Sequence, residues 1–129
     1  MLGIRLLLAV QAVILAGFGL AYFVRPHELA NLSGMLLMAP AAVTDVRAYY
    51  GGLQLGLAVW LLLALLRQDL LRPALMLLVL LYATLFFARL GGLWLDGGAQ
   101  QTFNLYAMLF EGVSAALALW LLRRSSASA

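Results

Sequence analysis

The chain has no cysteine, a single histidine, three prolines and, over 129 residues, only 10% charged side chains. Lysine is missing altogether. Without thiols there is no disulfide, no thiolate nucleophile and no cysteine-held metal, and the redox compartment leaves no mark on the sequence. His27 sits beside Glu28 without the companions that a metal site requires, so neither a metal nor another cofactor is expected. The scarcity of charge excludes more. Soluble domains are close to half apolar and about a quarter charged, whereas 66% of this chain is hydrophobic. So small a protein has a large surface for its volume, and too few ionic groups are present to cover it in water. The eight basic residues, all arginine, give a formal charge of +3. They are spread along the chain, with no stripe interleaved with aromatics, which excludes nucleic acid as a partner.

Four long apolar runs dominate what is present, at about residues 4–24, 46–66, 73–95 and 103–122. Arg25-Pro26, Arg67-Gln68-Asp69, Asp96-Gly97-Gly98 and Arg123-Arg124 bound them. Each approaches the ~20 residues that a helix needs to cross the hydrocarbon of a bilayer. The expected fold is therefore all-α: one domain over residues 1–129, a four-helix transmembrane bundle whose first partner is the lipid bilayer. The first run contains Gln11 and ends at Tyr22-Phe23-Val24-Arg25, which lacks a small-residue cleavage pattern, so it reads as a retained helix rather than a signal peptide. With four crossings, Arg5, Arg67, Arg72, Arg123 and Arg124 fall on one side. The positive-inside rule makes that side, and both termini, cytoplasmic. The small polar tail Ser125 to Ala129 is expected to be disordered.

The connection between the first two spans, from Arg25 to Asp45, is long yet mostly apolar. Pro26 suits the first position of a short helix continuing through Leu32, and Gly34 suits its close. Residues 35–40 are too apolar for water and read as an interfacial or re-entrant segment between helices 1 and 2. Thr44 or Asp45 is placed to cap the second span.

Charged groups within spans are costly, at about 2.5–3.5 kcal/mol for a central arginine or acid, and they rarely face lipid. Arg47, Arg89 and Glu111 are the three that matter. At ~1.5 Å per residue, Arg89 lies about 8 Å below the outer loop and Glu111 about 13 Å below it, on helices that should pack antiparallel. An arginine side chain covers that difference, so Arg89 and Glu111 are the expected pair. Helical spacing groups Arg47, Tyr50, Gly51 and Gln54 on one face, then Tyr82, Phe86 and Arg89, then Asn104, Ala107, Met108, Glu111 and Ser114. Three polar faces at one level imply a pocket in the outer half, with Arg47, Tyr50, Gln54, Arg89, Asn104, Tyr106 and Glu111 as candidate ligand contacts. Tyr106 lies off the Glu111 face. Two guanidinium groups against one carboxylate favour an anionic or carbonyl-bearing ligand, such as a lipid headgroup or a quinone.

Three other readings stay open. The pair can simply fix helix register, with the tyrosines as interfacial anchors. The chain can serve as an accessory or structural partner of another membrane protein. Alternatively, Glu111 can act as general acid or base on a lipid-soluble, quinone-like substrate. Transport is disfavoured by the lack of internal repeats or broken helices. Gly52 with Gly56, and Gly112 with Ala116, have the spacing that lets helices approach closely.

Asp45-Val46-Arg47-Ala48-Tyr49-Tyr50-Gly51-Gly52 with Gly56, then Arg89 followed by Gly91-Gly92, then Glu111 in the last span, resembles a bacterial family of small four-helix membrane proteins. That family is catalogued as domain of unknown function 4345 and is broadly similar to DoxX-like proteins. The resemblance runs from about Leu15 to Leu122, and an Asp at position 45 stands where many relatives have Glu. It implies the fold and a bacterial inner-membrane location, and no activity; a quinone link through DoxX-like proteins would be analogy alone.

Overall fold

A computed structural model describes residues 1–97 and 101–127. Among these residues there is no strand, and the elements run α1 (Leu2–Val24), α2 (Pro26–Asn31), α3 (Pro40–Val46), a π-helical segment (Arg47–Gly52), α4 (Leu53–Leu66), a short 3-10 turn (Gln68–Leu70), α5 (Leu71–Asp96) and α6 (Thr102–Ala127). Four stretches are long and apolar enough to cross a membrane: Leu2–Val24, Pro40–Leu66, Gln68–Asp96 and Thr102–Ser125. Exposed apolar side chains such as Val13, Leu62, Leu80, Phe87, Leu109 and Val113 lie along all four. A helix apolar on all sides has no stable place in water, and a hydrocarbon surround accounts for it.

The elements group into two compact units, Leu6–Gln68 and Met1–Arg5 with Asp69–Ala129. In the first unit, α1 crosses the π-helical segment where two glycines meet. A Cβ on Gly19 would lie 2.9 Å from the Gly51 carbonyl oxygen and from Leu55, and a Cβ on Gly51 would lie 3.1 Å from the Gly19 oxygen and the Phe23 nitrogen. Among the described residues, Gly52 and Gly56, the pair expected to mediate packing, have no such neighbours: a Cβ on Gly56 would meet nothing within 4 Å, and one on Gly52 would meet the Arg47 oxygen at 3.8 Å. The close approach belongs to Gly51, one residue earlier than the expected pair.

The second span also starts earlier than residue 46. Pro40 occupies the first helical position after the extended Ala39, and no side chain caps the end. Proline suits that position because its fixed φ is already helical and its missing N–H would have had no partner. Thr44 and Asp45 are therefore inside the helix, and the capping role expected of them is not theirs. The short helix α2 is present as expected and closes at Gly34, whose φ of +81° favours glycine. Met35 N–H then donates to the Ala30 carbonyl at 3.0 Å. The five residues 35–39 have no helix, and Leu36 and Met38 are largely open to the surroundings.

In the second unit, α5 and α6 form an antiparallel hairpin. At its connected end, α5 stops at Gly97 with a φ of +80°; Gly98, the other glycine read as a boundary, lies outside the described residues. At the far end, the Arg72 guanidinium donates to the Leu122 carbonyl at 3.1 Å and to the Ser125 hydroxyl. Gly112 lacks the side chain that would collide with the Phe86 ring at 3.2 Å, so the two helices close around that ring. Contrary to the disordered tail expected from residue 125, α6 continues through Ala127, and Ser125 donates to the Leu122 carbonyl at 2.8 Å. Ser128 and Ala129 lie outside the described residues.

Candidate functional site

The α5–α6 hairpin carries a chain of side-chain hydrogen bonds that starts deep and ends at the helix connection. Glu111 is buried, with 5% of its side chain exposed, and Arg89 faces it from α5 with 28% exposed. Arg89 Nε donates to Glu111 Oε1 at 2.8 Å and is 3.0 Å from Oε2. Its Nη1 donates to Asn104 Oδ1 at 2.6 Å. Asn104 Nδ2 in turn donates to Gln101 Oε1 at 2.8 Å, and Gln101 Nε2 donates to the Gly97 carbonyl at 2.7 Å. The pairing expected from helix depth is thus present, and it extends further than expected.

Sequence spacing explains the arrangement. Gln101, Asn104, Met108 and Glu111 recur at three- and four-residue intervals, so they stack along one side of the start of α6. Tyr82, Phe86 and Arg89 do the same on α5. Tyr82 is buried, packs edge-on against Phe110 with ring centroids 5.5 Å apart, and is within electrostatic reach of Glu111. Phe103 lies under the guanidinium, 6.0 Å from ring centroid to Arg89 Cζ. A charged hydrogen bond that is dry on the Glu111 side and stacked on a ring holds the guanidinium in one orientation. Arg89 Nη2 has no protein acceptor among the described residues, which leaves a fixed donor pair at the partly exposed end of the network. Gln101 and Phe103 are absent from the candidates that the sequence suggests. Gln101 is within reach of the spacing argument, since it continues the 104–111 series by one turn; an aromatic beneath a guanidinium has no sequence signal of its own.

Arg47, Tyr50 and Gln54 belong to the other unit and are engaged there. The Arg47 guanidinium donates to the Phe23 carbonyl and stacks over the Phe23 ring at 5.7 Å. Phe23 is in the last turn of α1, whose carbonyls have no helical partners. Arg47 therefore caps α1 from the neighbouring helix, where a positive charge also suits the helix dipole. Tyr50 stacks on Tyr22 with centroids 5.3 Å apart. Gln54 Nε2 reaches back to the Tyr50 carbonyl at 2.7 Å. These contacts sit in the π-helical turn Arg47–Gly52, where the Leu53 N–H reaches the Ala48 carbonyl five residues back. π turns recur at functional positions because they redirect side chains and loosen carbonyls. Tyr106 is 69% exposed on α6 and has no polar partner among the described residues, in keeping with its place off the Glu111 face.

No group of three or more His, Cys, Asp or Glu residues able to hold a metal ion occurs among the described residues. A family model described as a domain of unknown function (DUF4345) matches residues 3–122. No curated protein and no solved structure matches the chain.

Proposed function

The chain belongs to the DUF4345 family, and from that premise we propose that it is a multi-pass protein of the bacterial inner membrane that binds a carbonyl-bearing, lipid-soluble ligand at Arg89. The oriented guanidinium carries this reading. Glu111 balances its charge from the buried side, Asn104 and Phe103 fix its plane, and Nη2 remains available at the partly exposed end. Within this unit the cluster is neutral overall. A neutral acceptor such as a quinone-like carbonyl therefore suits it better than an anion, which would have to displace the acid. The asymmetric placing of Arg5, Arg67, Arg72, Arg123 and Arg124 supports cytoplasmic termini. On that orientation the cluster opens toward the outer side, and the exposed Leu36 and Met38 rest at the outer interface.

The test is native mass spectrometry of the full chain after gentle extraction. A neutral lipid-soluble molecule should co-purify with the wild type and with Tyr106→Phe, and be lost from Arg89→Gln. A stable, empty wild-type protein would overturn the binding reading.

One observation favours a second reading, in which the pair is architectural. Among the described residues, no buried side-chain nitrogen or oxygen lacks a hydrogen-bond partner. A fully satisfied buried pair can serve to fix helix register alone. In that case a paired apolar replacement, Arg89→Leu with Glu111→Leu, retains whatever activity the protein supports in cells; under the binding reading it folds but is inactive.

A further inference from the structure

The unit Leu6–Gln68 holds a separate groove that the Arg89 cluster does not use. It has a volume of about 490 Å³ and is lined by His27 from α2, by Leu37, Met38 and Ala39 of the non-helical stretch, and by Pro40, Val43, Thr44 and Arg47. Its position is set by chain geometry: α1 ends at Val24 and the next span begins at Pro40. With these stretches read as membrane spans, the groove lies where one leaves the hydrocarbon and the next enters it, at headgroup level.

Its walls divide by chemistry. Arg47 spends one nitrogen, Nη1, on the Phe23 carbonyl, and its Nε and Nη2 have no protein acceptor among the described residues. The His27 ring and the Thr44 hydroxyl are likewise without partners there. Donors thus come from three different places in the chain: the short helix, the first turns of the second span and the π-helical turn. No carboxylate lines the groove among the described residues. Glu28, the acid next to His27, is held outside by Arg25 at 3.0 Å. Leu37, Met38, Pro40 and Val43 supply the apolar remainder. The same helix α2 that brings His27 here sends Leu29 to a second, wholly apolar groove of about 270 Å³ along α1, floored by Gly17 and flanked by Val13, Ile14, Phe18 and Ala21.

We propose that the groove binds the phosphate of a glycerophospholipid, with Arg47, His27 and Thr44 as donors and the apolar walls against the glycerol and upper acyl carbons. A guanidinium with a free edge, beside a hydroxyl and a ring N–H, matches phosphate oxygens. A phosphate also occurs at the depth where this groove opens. The site is distinct from the Arg89 cluster in ligand chemistry, charge and residues. Failure of either reading leaves the other standing.

The experiment uses the full chain in detergent micelles and native mass spectrometry with three probes: phosphatidylglycerol, diacylglycerol with the same acyl chains, and inorganic phosphate. Phosphatidylglycerol should bind at least tenfold more tightly than diacylglycerol, and inorganic phosphate should not displace it at equal concentration. His27→Gln and Thr44→Val should each weaken binding about tenfold to a hundredfold, the range for one hydrogen bond to a charged group. Ala39→Trp, which fills the groove while leaving every donor in place, should abolish binding, and Tyr106→Phe, in the other unit, should leave it unchanged. Because Arg47→Gln also uncaps α1, the three other groove variants decide the outcome. Equal binding of diacylglycerol overturns phosphate recognition. Displacement by inorganic phosphate overturns the lipid as its source, and unchanged binding by Ala39→Trp overturns the location.

Discussion

Two arginines set within apolar spans are satisfied in opposite ways. Arg89 in the α5–α6 hairpin meets a carboxylate, Glu111, side chain to side chain and largely away from the surroundings. Arg47 in the other unit meets no acid among the described residues; its partner is the carbonyl of Phe23 in the last turn of α1. The first arrangement neutralises charge with charge. The second uses the partial negative charge that every helix accumulates at its C-terminal end. Their consequences differ: removing one member of a charged pair strands the other, whereas removing a capping arginine returns a carbonyl to a helix end that can relax or find water.

That contrast sets the largest expected effect. Glu111→Ala strands a partly buried guanidinium without its counter-charge and should cost about 3–5 kcal/mol, against much less for the double replacement Arg89→Leu with Glu111→Leu. Reversible unfolding in mixed micelles measures both. If the double variant loses the sum of the two single losses, the two residues act independently and the pair has no energetic meaning.

Glycine substitutions come next, and they probe packing rather than charge. Gly19→Ala puts a methyl group 2.9 Å from the Gly51 carbonyl and Leu55. Overpacking of that kind costs about 1–3 kcal/mol. Gly56→Ala meets nothing within 4 Å and should be neutral or stabilising by up to about 1 kcal/mol from helix propensity. The same unfolding assay ranks them. A damaging Gly56→Ala with a harmless Gly19→Ala would contradict a crossing made by Gly19 and Gly51.

The two arginines also differ in how much the sequence discloses. Arg89 and Glu111 can be matched from it because ionisable side chains are rare in apolar runs, and rise per residue gives each a depth. The four spans are legible for a similar reason, since length and hydropathy act over twenty residues at a time. The partner of Arg47 is not legible in this way. It is a backbone carbonyl, and as every residue has one, composition gives no hint of which is used. The face itself is legible: Arg47, Tyr50 and Gly51, grouped by helical spacing, all meet α1, at Phe23, Tyr22 and Gly19. The π-helical turn that carries them is not, and neither is the glycine of the close approach, since the small-residue spacing points to Gly52 and Gly56 whereas Gly51 makes the contact. Pro40 is a signal of another kind, because an apolar run draws attention to hydropathy while the helix start is written in a single proline.

An intermediate effect is expected at Arg47 itself. Arg47→Gln keeps a donor but loses the charge and the stacking over Phe23, and should cost about 1–2 kcal/mol, below the loss from Glu111→Ala. Hydrogen exchange localises it: the amides whose protection falls should be those of the last turn of α1 and of the π-helical turn. Loss of protection throughout the unit would mean that the cap is a keystone of the fold, and the proposed distinction between pairing and capping would collapse.

Arg72 carries the comparison to its weakest case, a capping arginine in the same unit as the charged pair. It reaches from the start of α5 to the Leu122 carbonyl and the Ser125 hydroxyl near the end of α6, and it is exposed. The chemistry matches that of Arg47, but water can replace the guanidinium at little cost. Arg72→Gln should therefore cost no more than about 0.5 kcal/mol, within the range of helix-end charges at an exposed position, and most of that should vanish in high salt. Unfolding of Arg72→Gln and Arg47→Gln at low and high salt separates the two. A salt-sensitive loss at Arg72 with a salt-insensitive one at Arg47 would mean that surroundings, rather than the type of partner, decide what an arginine is worth in this protein. Equal losses at both would make helix capping itself the quantity that matters.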